Sequence, residues 1–140
     1  MPSSGPSPTQ SITPKTLTLI RGAMLGGVLV LGLAVWFIGR SRHVEPPTAN
    51  VTHPLAYGWY ALLLAAAGGT VALRKAQDAR QTFEERARLS IVGWALAEAP
   101  ALLGGVYFFL TKDPLLYALG VVALGASFRL LDARRPEGDQ

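Results

Sequence analysis

The sequence predicts an all-α integral membrane protein, a four-helix bundle with a disordered N-terminal tail and both termini in the cytoplasm. Half of the 140 residues are apolar and only 16% are charged. The charges are also clustered, so that they leave four long apolar runs between them. Because a helix needs about 20 residues to cross the ~30 Å hydrocarbon core of a bilayer, we interpret these runs as membrane spans rather than core helices of a soluble domain.

The predicted membrane domain covers residues 17–131, with spans at about 17–39, 54–73, 89–110 and 115–131. Pro54 suits the first turn of the second helix, where the amide hydrogen that it lacks would have no helical partner. Residues 1–16 combine four prolines with serine and threonine. This composition predicts a disordered cytoplasmic tail, and residues 132–140 are predicted to form a second cytoplasmic tail.

A cleaved secretory signal is the alternative interpretation of the first apolar run, since Lys15 and Arg21 lie at its start. The run is longer than the apolar region of a usual signal sequence and ends at Trp36 and Phe37, without the small residues that a signal peptidase needs. We therefore predict a retained span, with the Arg21 side chain extending to the lipid headgroups.

Signals at two helix ends refine this picture. Thr82 and Glu85 have the S/T-x-x-E spacing of a capping box, which predicts that the third helix begins before its span, with residues 83–90 exposed to water. The fourth span is short and ends at Arg129, whose side chain can also reach the interface.

Lysine and arginine are distributed unevenly between the two sides of the predicted bundle. Ten flank the ends near the chain termini and the second loop, and three flank the opposite ends. The positive-inside tendency therefore predicts both termini in the cytoplasm, in a bacterial inner membrane or an equivalent energy-coupling membrane. Aromatic residues are predicted to form an interfacial belt at the opposite ends: Trp36, Phe37, Tyr57, Trp59, Tyr60, Tyr107, Phe108, Phe109 and Tyr117.

Several function classes lack support in the sequence. The net charge is +4, but the basic residues lie at the ends of apolar runs, so no nucleic-acid partner is predicted. There is no cysteine, and His43 and His53 are loosely spaced in a proline-rich loop, so we predict no metal site and no cofactor. Ser90 and Ser127 have no evident histidine partner, and we predict no catalytic residues and no enzyme activity.

Small residues recur at every fourth position in three spans, and such rows let two helix backbones come close in lipid. They can serve contacts within the bundle or contacts with other subunits, and periodicity does not distinguish the two. The predicted helix-packing residues are Gly22 and Gly26 in the first span, Ala61, Ala65 and Gly69 in the second, and Gly93, Ala97, Ala101 and Gly105 in the third.

Glu98 is the one ionisable residue deep in a predicted span, about 14 Å along the helix from its start. A charged carboxylate at this depth costs roughly 2.5 kcal/mol or more. Pro100 removes the amide hydrogen that would bond the Leu96 carbonyl. Two hypotheses follow: Glu98 and Pro100 form a proton-binding site, or Glu98 is a neutral hydrogen-bonding group held by the freed carbonyl or by a partner subunit.

The segment 92–99, VGWALAEA, followed by Gly104, resembles the ion-carrying helix of rotary ATP synthase c subunits, the proteolipids. In that family, a carboxyl in a V-G-x-A-L-x-E-A context binds a proton or a sodium ion. Residues 79–81, ARQ, are similar to the A-R-Q-P cytoplasmic loop of the family, with Thr82 in place of the proline. The resemblance covers residues 79–110 and implies that Glu98 carries an ion.

The resemblance does not extend to the whole chain. The second span has only Gly58, Gly68 and Gly69 where c subunits have a G-x-G-x-G-x-G row, and two further spans flank the hairpin. Small multidrug transporters also combine four spans with one intramembrane glutamate, but they carry it in the first helix.

The sequence thus predicts a small non-catalytic membrane subunit, or an assembly and stabilising factor, of a larger membrane protein complex such as a respiratory or photosynthetic one. The expected partners are the lipid bilayer and other membrane protein subunits. The alternative is a proton-carrying c-like or small transporter subunit that uses Glu98.

Overall fold

The computed structural model describes residues 12–41, 48–80 and 82–132, which form four helices and, within those ranges, no strand. The helices are α1 (Pro14–Ser41), α2 (Ala49–Asp78), α3 (Phe83–Thr111) and α4 (Leu115–Leu130). The predicted all-α, four-helix fold class is confirmed. Helices α1, α2 and α3 are long and apolar enough to cross a membrane, as expected of a small membrane protein. Helix α4 has 16 residues, fewer than the ~20 usually needed.

Helix α1 begins inside the segment that the sequence predicts to be disordered. Thr13 precedes Pro14, and the Thr13 Oγ1 atom accepts a hydrogen bond from the Thr16 amide at 3.3 Å. A threonine cap followed by proline favours the start of a helix, so residues 14–16 are helical. Residues 1–11 and 133–140 of the two predicted tails lie outside the described residues.

Helix α2 begins at Ala49, five residues before the predicted start of the second span at Pro54. The Thr48 carbonyl accepts hydrogen bonds from the amides of Val51 at 2.9 Å and Thr52 at 3.3 Å, which closes the first turn. Pro54 therefore lies inside the helix. It is tolerated there because the bond that it removes is one of the first in the ladder.

Helix α3 begins as the capping-box spacing predicts. Thr82 is the N-cap, and its side chain accepts a hydrogen bond from the Glu85 amide at 3.4 Å. The early start of this helix, before its predicted span, is confirmed.

A tight turn joins α3 to α4. Lys112 ends α3 in the left-handed conformation with φ of 62°, and its amide donates to the Phe108 carbonyl at 2.8 Å. The Asp113 carboxylate then accepts a hydrogen bond from the Leu115 amide at 3.0 Å. This bond satisfies one of the free amides at the start of α4.

Helix α3 is the centre of the bundle. Helices α2 and α4 pack along it, α1 packs on α3 and touches α4, and the described parts of α1 and α2 do not contact each other. The core follows α3 in two hydrophobic clusters, one formed by Leu17, Ala87, Trp94 and Leu131, the other by Val28, Ala97, Ala101 and Leu124.

The C-terminal end of α4 lies level with cations of α1 and α2. The Arg21 guanidinium lies 3.3 Å from the Asp132 carboxylate, and Arg74 Nη1 donates to the Leu130 carbonyl at 2.9 Å. We call this the basic end, and the opposite end, with the α3–α4 turn, the distal end. Despite its length, α4 thus connects the distal end to the level of Arg21 and Arg74.

Candidate functional site

Glu98 lies in the middle of α3 and is half-buried. Its carboxyl makes no hydrogen bond and no ion pair with any described residue. A carboxyl at this depth has to be neutral, face water or find a polar group on another molecule. No hydrogen bond joins Glu98 to the carbonyl freed by Pro100 among the described residues, and the role of Glu98 stays a prediction.

The side of α3 that carries Glu98 faces α1. One turn earlier, the Arg21 guanidinium of α1 lies 4.6 Å from the centroid of the buried Trp94 ring. Two turns later, a Cβ atom added to Gly105 would lie 3.0 Å from the Leu31 side chain of α1. Residues four and seven apart share a helix face, so Glu98 lies beside α1.

Pro100 accepts a hydrogen bond from a neighbouring helix. The Trp59 indole Nε1 on α2 donates to the Pro100 carbonyl at 2.7 Å, and both residues are buried. Helix α3 continues through this proline to Thr111. The prediction that Trp59 belongs to an interfacial belt is wrong, because its side chain is fully buried, whereas Tyr57 and Tyr60 beside it are exposed.

Helices α3 and α4 touch through their backbones close to Pro100. A Cβ atom added to Gly120 would lie 2.6 Å from Ala101 Cα, and one added to Gly104 would lie 2.8 Å from Tyr117 Cα. Real Cβ atoms do not approach neighbours so closely, so only glycine fits at these two positions. Neither glycine is in the predicted packing rows, although Ala101 is.

The predicted packing rows differ in their placement. The α3 row, Gly93, Ala97, Ala101 and Gly105, is buried inside the chain. In α2, a Cβ atom added to Gly69 would meet the Leu96 side chain. The remaining positions face outward or lie at the border of the bundle: Gly22, Gly26, Ala61 and Ala65.

A buried polar cluster joins α2 to the first turns of α3. Gln77 Nε2 donates to the Arg86 carbonyl at 2.9 Å and to Ser90 Oγ at 2.7 Å, and the Ser90 hydroxyl donates to the same carbonyl at 3.0 Å. The start of α3 is therefore not uniformly exposed to water as predicted. Gln77 Oε1 and Arg86 Nε are buried without a hydrogen-bond partner, so this cluster is only partly satisfied.

Comparisons with protein-family models, curated proteins and solved structures find no match to this chain. The resemblance of residues 79–110 to c subunits therefore stays a prediction, and Gln81 of the loop motif lies outside the described residues. Of the two histidines, His53 lies exposed on α2 and His43 falls outside the described ranges. Within those ranges, no group of three or more histidine, aspartate or glutamate residues could hold a metal ion.

Sequence reasoning missed the residues that join the helices most closely. Tyr117, predicted to belong to the belt, is half-buried and donates to the Val28 carbonyl at 2.6 Å, directly over Gly32. The signal for such bonds is weak, because the acceptor is a backbone carbonyl, which every residue carries.

Proposed function

We propose that this chain is a small non-catalytic subunit, or an assembly factor, of a larger membrane protein complex such as a respiratory or photosynthetic one. The outward placement of the small-residue rows on α1 and α2 carries this proposal. A Cβ atom added to Gly22 or Gly26 would have no neighbour within 4 Å, and Ala61 and Ala65 are exposed. Faces of small residues favour close contact between helices in lipid, so these rows suit helices of another subunit.

An exposed strip of α3 supports the same proposal. Val92 is 57% exposed, Leu102 42% and Val106 49%, although they belong to the central helix. The described parts of α1 and α2 do not contact each other, so a partner helix can lie along α3. Glu98, half-buried and without a polar partner among the described residues, would then find its hydrogen-bond partner on that helix.

The proposed orientation places the basic end in the cytoplasm and all four helices in the membrane. It rests on the ten-to-three distribution of basic residues. Leu130 and Asp132, at the end of α4, lie at the same depth as Arg74 and Arg21, which they contact. This position supports a crossing of the membrane by α4. Such a short helix is accommodated by local thinning of the bilayer and by basic side chains that extend to the interface.

The test is purification of the tagged chain in a gentle detergent, with mass spectrometry of the intact particles. We expect a larger protein in fixed ratio with the chain. Gly26→Leu and Ala65→Leu should reduce its recovery while the chain still inserts into the membrane. Gly125→Leu is the matched control, because Gly125 is a small residue with open space around it outside the predicted rows. Purification of the chain as a monomer or homo-oligomer would contradict the proposal.

The second candidate function is proton carriage by Glu98, in a c-like or small transporter subunit. It is supported by the half-burial of the carboxyl and its lack of a polar partner among the described residues, since a proton site must release its proton as well as bind it. In this case the purified particle should be a homo-oligomer. Oligomeric composition therefore separates the two proposals before any activity is measured.

A further inference from the structure

A cavity of about 660 Å³ opens at the distal end of the bundle, between α1 and the α3–α4 turn. One side of α1, from Leu29 to Arg40, forms its long wall. Residues of α3, the turn and α4 complete the lining: Phe108, Lys112, Pro114 and Tyr117.

The shape of the cavity matches one acyl chain. The wall from Leu29 to Arg40 extends about 16 Å along a helix, which is about half the ~30 Å hydrocarbon core, or the depth of one leaflet. The Tyr117 ring covers Gly32, whereas Gly39 lines the cavity without a side chain, and a Cβ atom added to Gly39 would meet nothing within 4 Å. Gly39 therefore leaves space on this wall that an acyl chain can fill.

The charges of the cavity are at one end and of one sign. Among its described lining residues, the charged ones are Arg40 and Lys112, and both are cationic. The Arg40 guanidinium stacks 4.8 Å above the Trp36 ring, which holds it at the mouth. A stacked guanidinium keeps its edge N–H groups available for the oxygens of a phosphate.

We propose that this cavity binds one anionic phospholipid, with the phosphate at Arg40 and an acyl chain along Trp36 and Gly39. This inference rests on the chain lying in a membrane, but not on which partner it assembles with. Of the basic residues that the structure describes, Arg40 and Lys112 lie at the distal end, and both line this cavity. A negatively charged headgroup would compensate the Arg40 guanidinium at the end where the charge bias disfavours cations.

The tryptophans of this chain supply the measurement. Trp59 and Trp94 are fully buried, whereas Trp36 is 51% exposed and lines the cavity. Bromine on an acyl chain quenches tryptophan fluorescence on contact, so brominated lipids should report on Trp36. The purified full chain is reconstituted in vesicles that contain brominated phosphatidylglycerol and unlabelled phosphatidylcholine, and in vesicles with the label exchanged between the two lipids.

From the quenching of Trp36 we expect the site to prefer phosphatidylglycerol over phosphatidylcholine by about five-fold. This is the size of effect expected for one arginine near an anionic headgroup. Arg40→Gln should bring the ratio close to one. Arg129→Gln, which removes a cation from the basic end, is the matched control and should keep the preference. Trp36→Phe should remove the lipid-dependent quenching.

Gly39→Leu gives a second, independent variant, because a Cβ atom at this position has open space and the leucine side chain would occupy the cavity. It should lower quenching by the preferred lipid and leave the far-UV helical signal unchanged. Equal quenching of the wild-type chain by the two lipids, or an unchanged preference in Arg40→Gln, would overturn the proposal. Neither result bears on co-purification with a larger complex, so the two proposals fail separately.

Discussion

The indole of Trp59 on α2 is hydrogen-bonded to the carbonyl of Pro100 on α3, two residues beyond the one acid in the middle of that helix. At the same turn, Gly120 of α4 lies against the backbone of Ala101. Three helices therefore meet at a proline, where the helical ladder of α3 lacks one bond. The Trp59 bond goes to the carbonyl of Pro100 itself, so it joins α2 to α3 and does not replace the bond that the Leu96 carbonyl lacks.

Trp59→Phe should test the strength of this junction. Phenylalanine keeps a ring but loses the N–H donor and part of the volume, so we expect the free energy of unfolding to fall by about 1 to 2 kcal/mol. Reversible unfolding in mixed detergent micelles would measure it. Trp36→Phe makes the same chemical change at an exposed position and should change stability by less than about 0.5 kcal/mol. Equal effects of the two substitutions would mean that the bond to Pro100 contributes nothing.

Gly120→Ala should separate α3 from α4. The added Cβ would lie 2.6 to 2.8 Å from backbone atoms of Ala101 and Pro100, and backbone cannot move aside as a flexible side chain can. We expect the free energy of unfolding to fall by about 1 to 3 kcal/mol. Gly125→Ala on the same helix has open space and should be neutral or slightly stabilising, because alanine is the better helix former. A neutral Gly120→Ala would contradict the close backbone contact.

Single cysteines should determine the orientation, because the chain has no native cysteine. Ala49 and Ala79 are exposed at opposite ends of α2. With a membrane-impermeant thiol reagent, Ala49→Cys should react in intact cells, and Ala79→Cys only after lysis. Leu130→Cys should behave like Ala79→Cys if α4 crosses the membrane. Labelling of Ala79→Cys in intact cells would contradict the proposed orientation, and labelling of Leu130→Cys there would show that α4 does not cross.

The four helices could be predicted from sequence because the length of a charge-free run is a property of one segment. The start of α3 could be predicted too, since Thr82 and Glu85 cap it locally. The contacts between helices could not, because a row of small residues specifies a face but not the neighbour that covers it. The row predicted for α3 includes Gly105, whereas the close backbone contact with α4 uses the adjacent Gly104.

Trp59 shows that the sequence also does not specify the partner of a polar side chain. A tryptophan near the end of a span can anchor at the headgroups or bond to another helix. The choice depends on what the facing helix offers, and here that is the Pro100 carbonyl. The cluster around Gln77 could not be predicted either, since its partners on α3 come close only when the loop folds the two helices together.

The carboxyl of Glu98 gives the last prediction. Because it has no polar partner among the described residues, Glu98→Leu should leave the isolated chain at least as stable as the wild type, since leucine favours the membrane. In an assembled complex, the same substitution should remove about 1 kcal/mol of polar contact with a partner helix. Glu98→Gln keeps a hydrogen-bond donor and should preserve both assembly and the activity of the complex.

A proton-carrying role predicts the opposite result for Glu98→Gln. Glutamine cannot titrate, so transport or coupling should be lost while assembly persists, and a hydrophobic carbodiimide should label Glu98 in the wild type in a pH-dependent way. Glu84→Gln, which changes a carboxyl paired with Arg88 at the exposed start of α3, controls for loss of charge alone. We expect Glu98→Gln to preserve coupling, as a structural role predicts. A proton that reached Glu98 would need further ionisable groups along its path, and the predicted spans contain none at that depth. Loss of coupling in a fully assembled Glu98→Gln complex, with Glu84→Gln unaffected, would assign proton transfer to this residue.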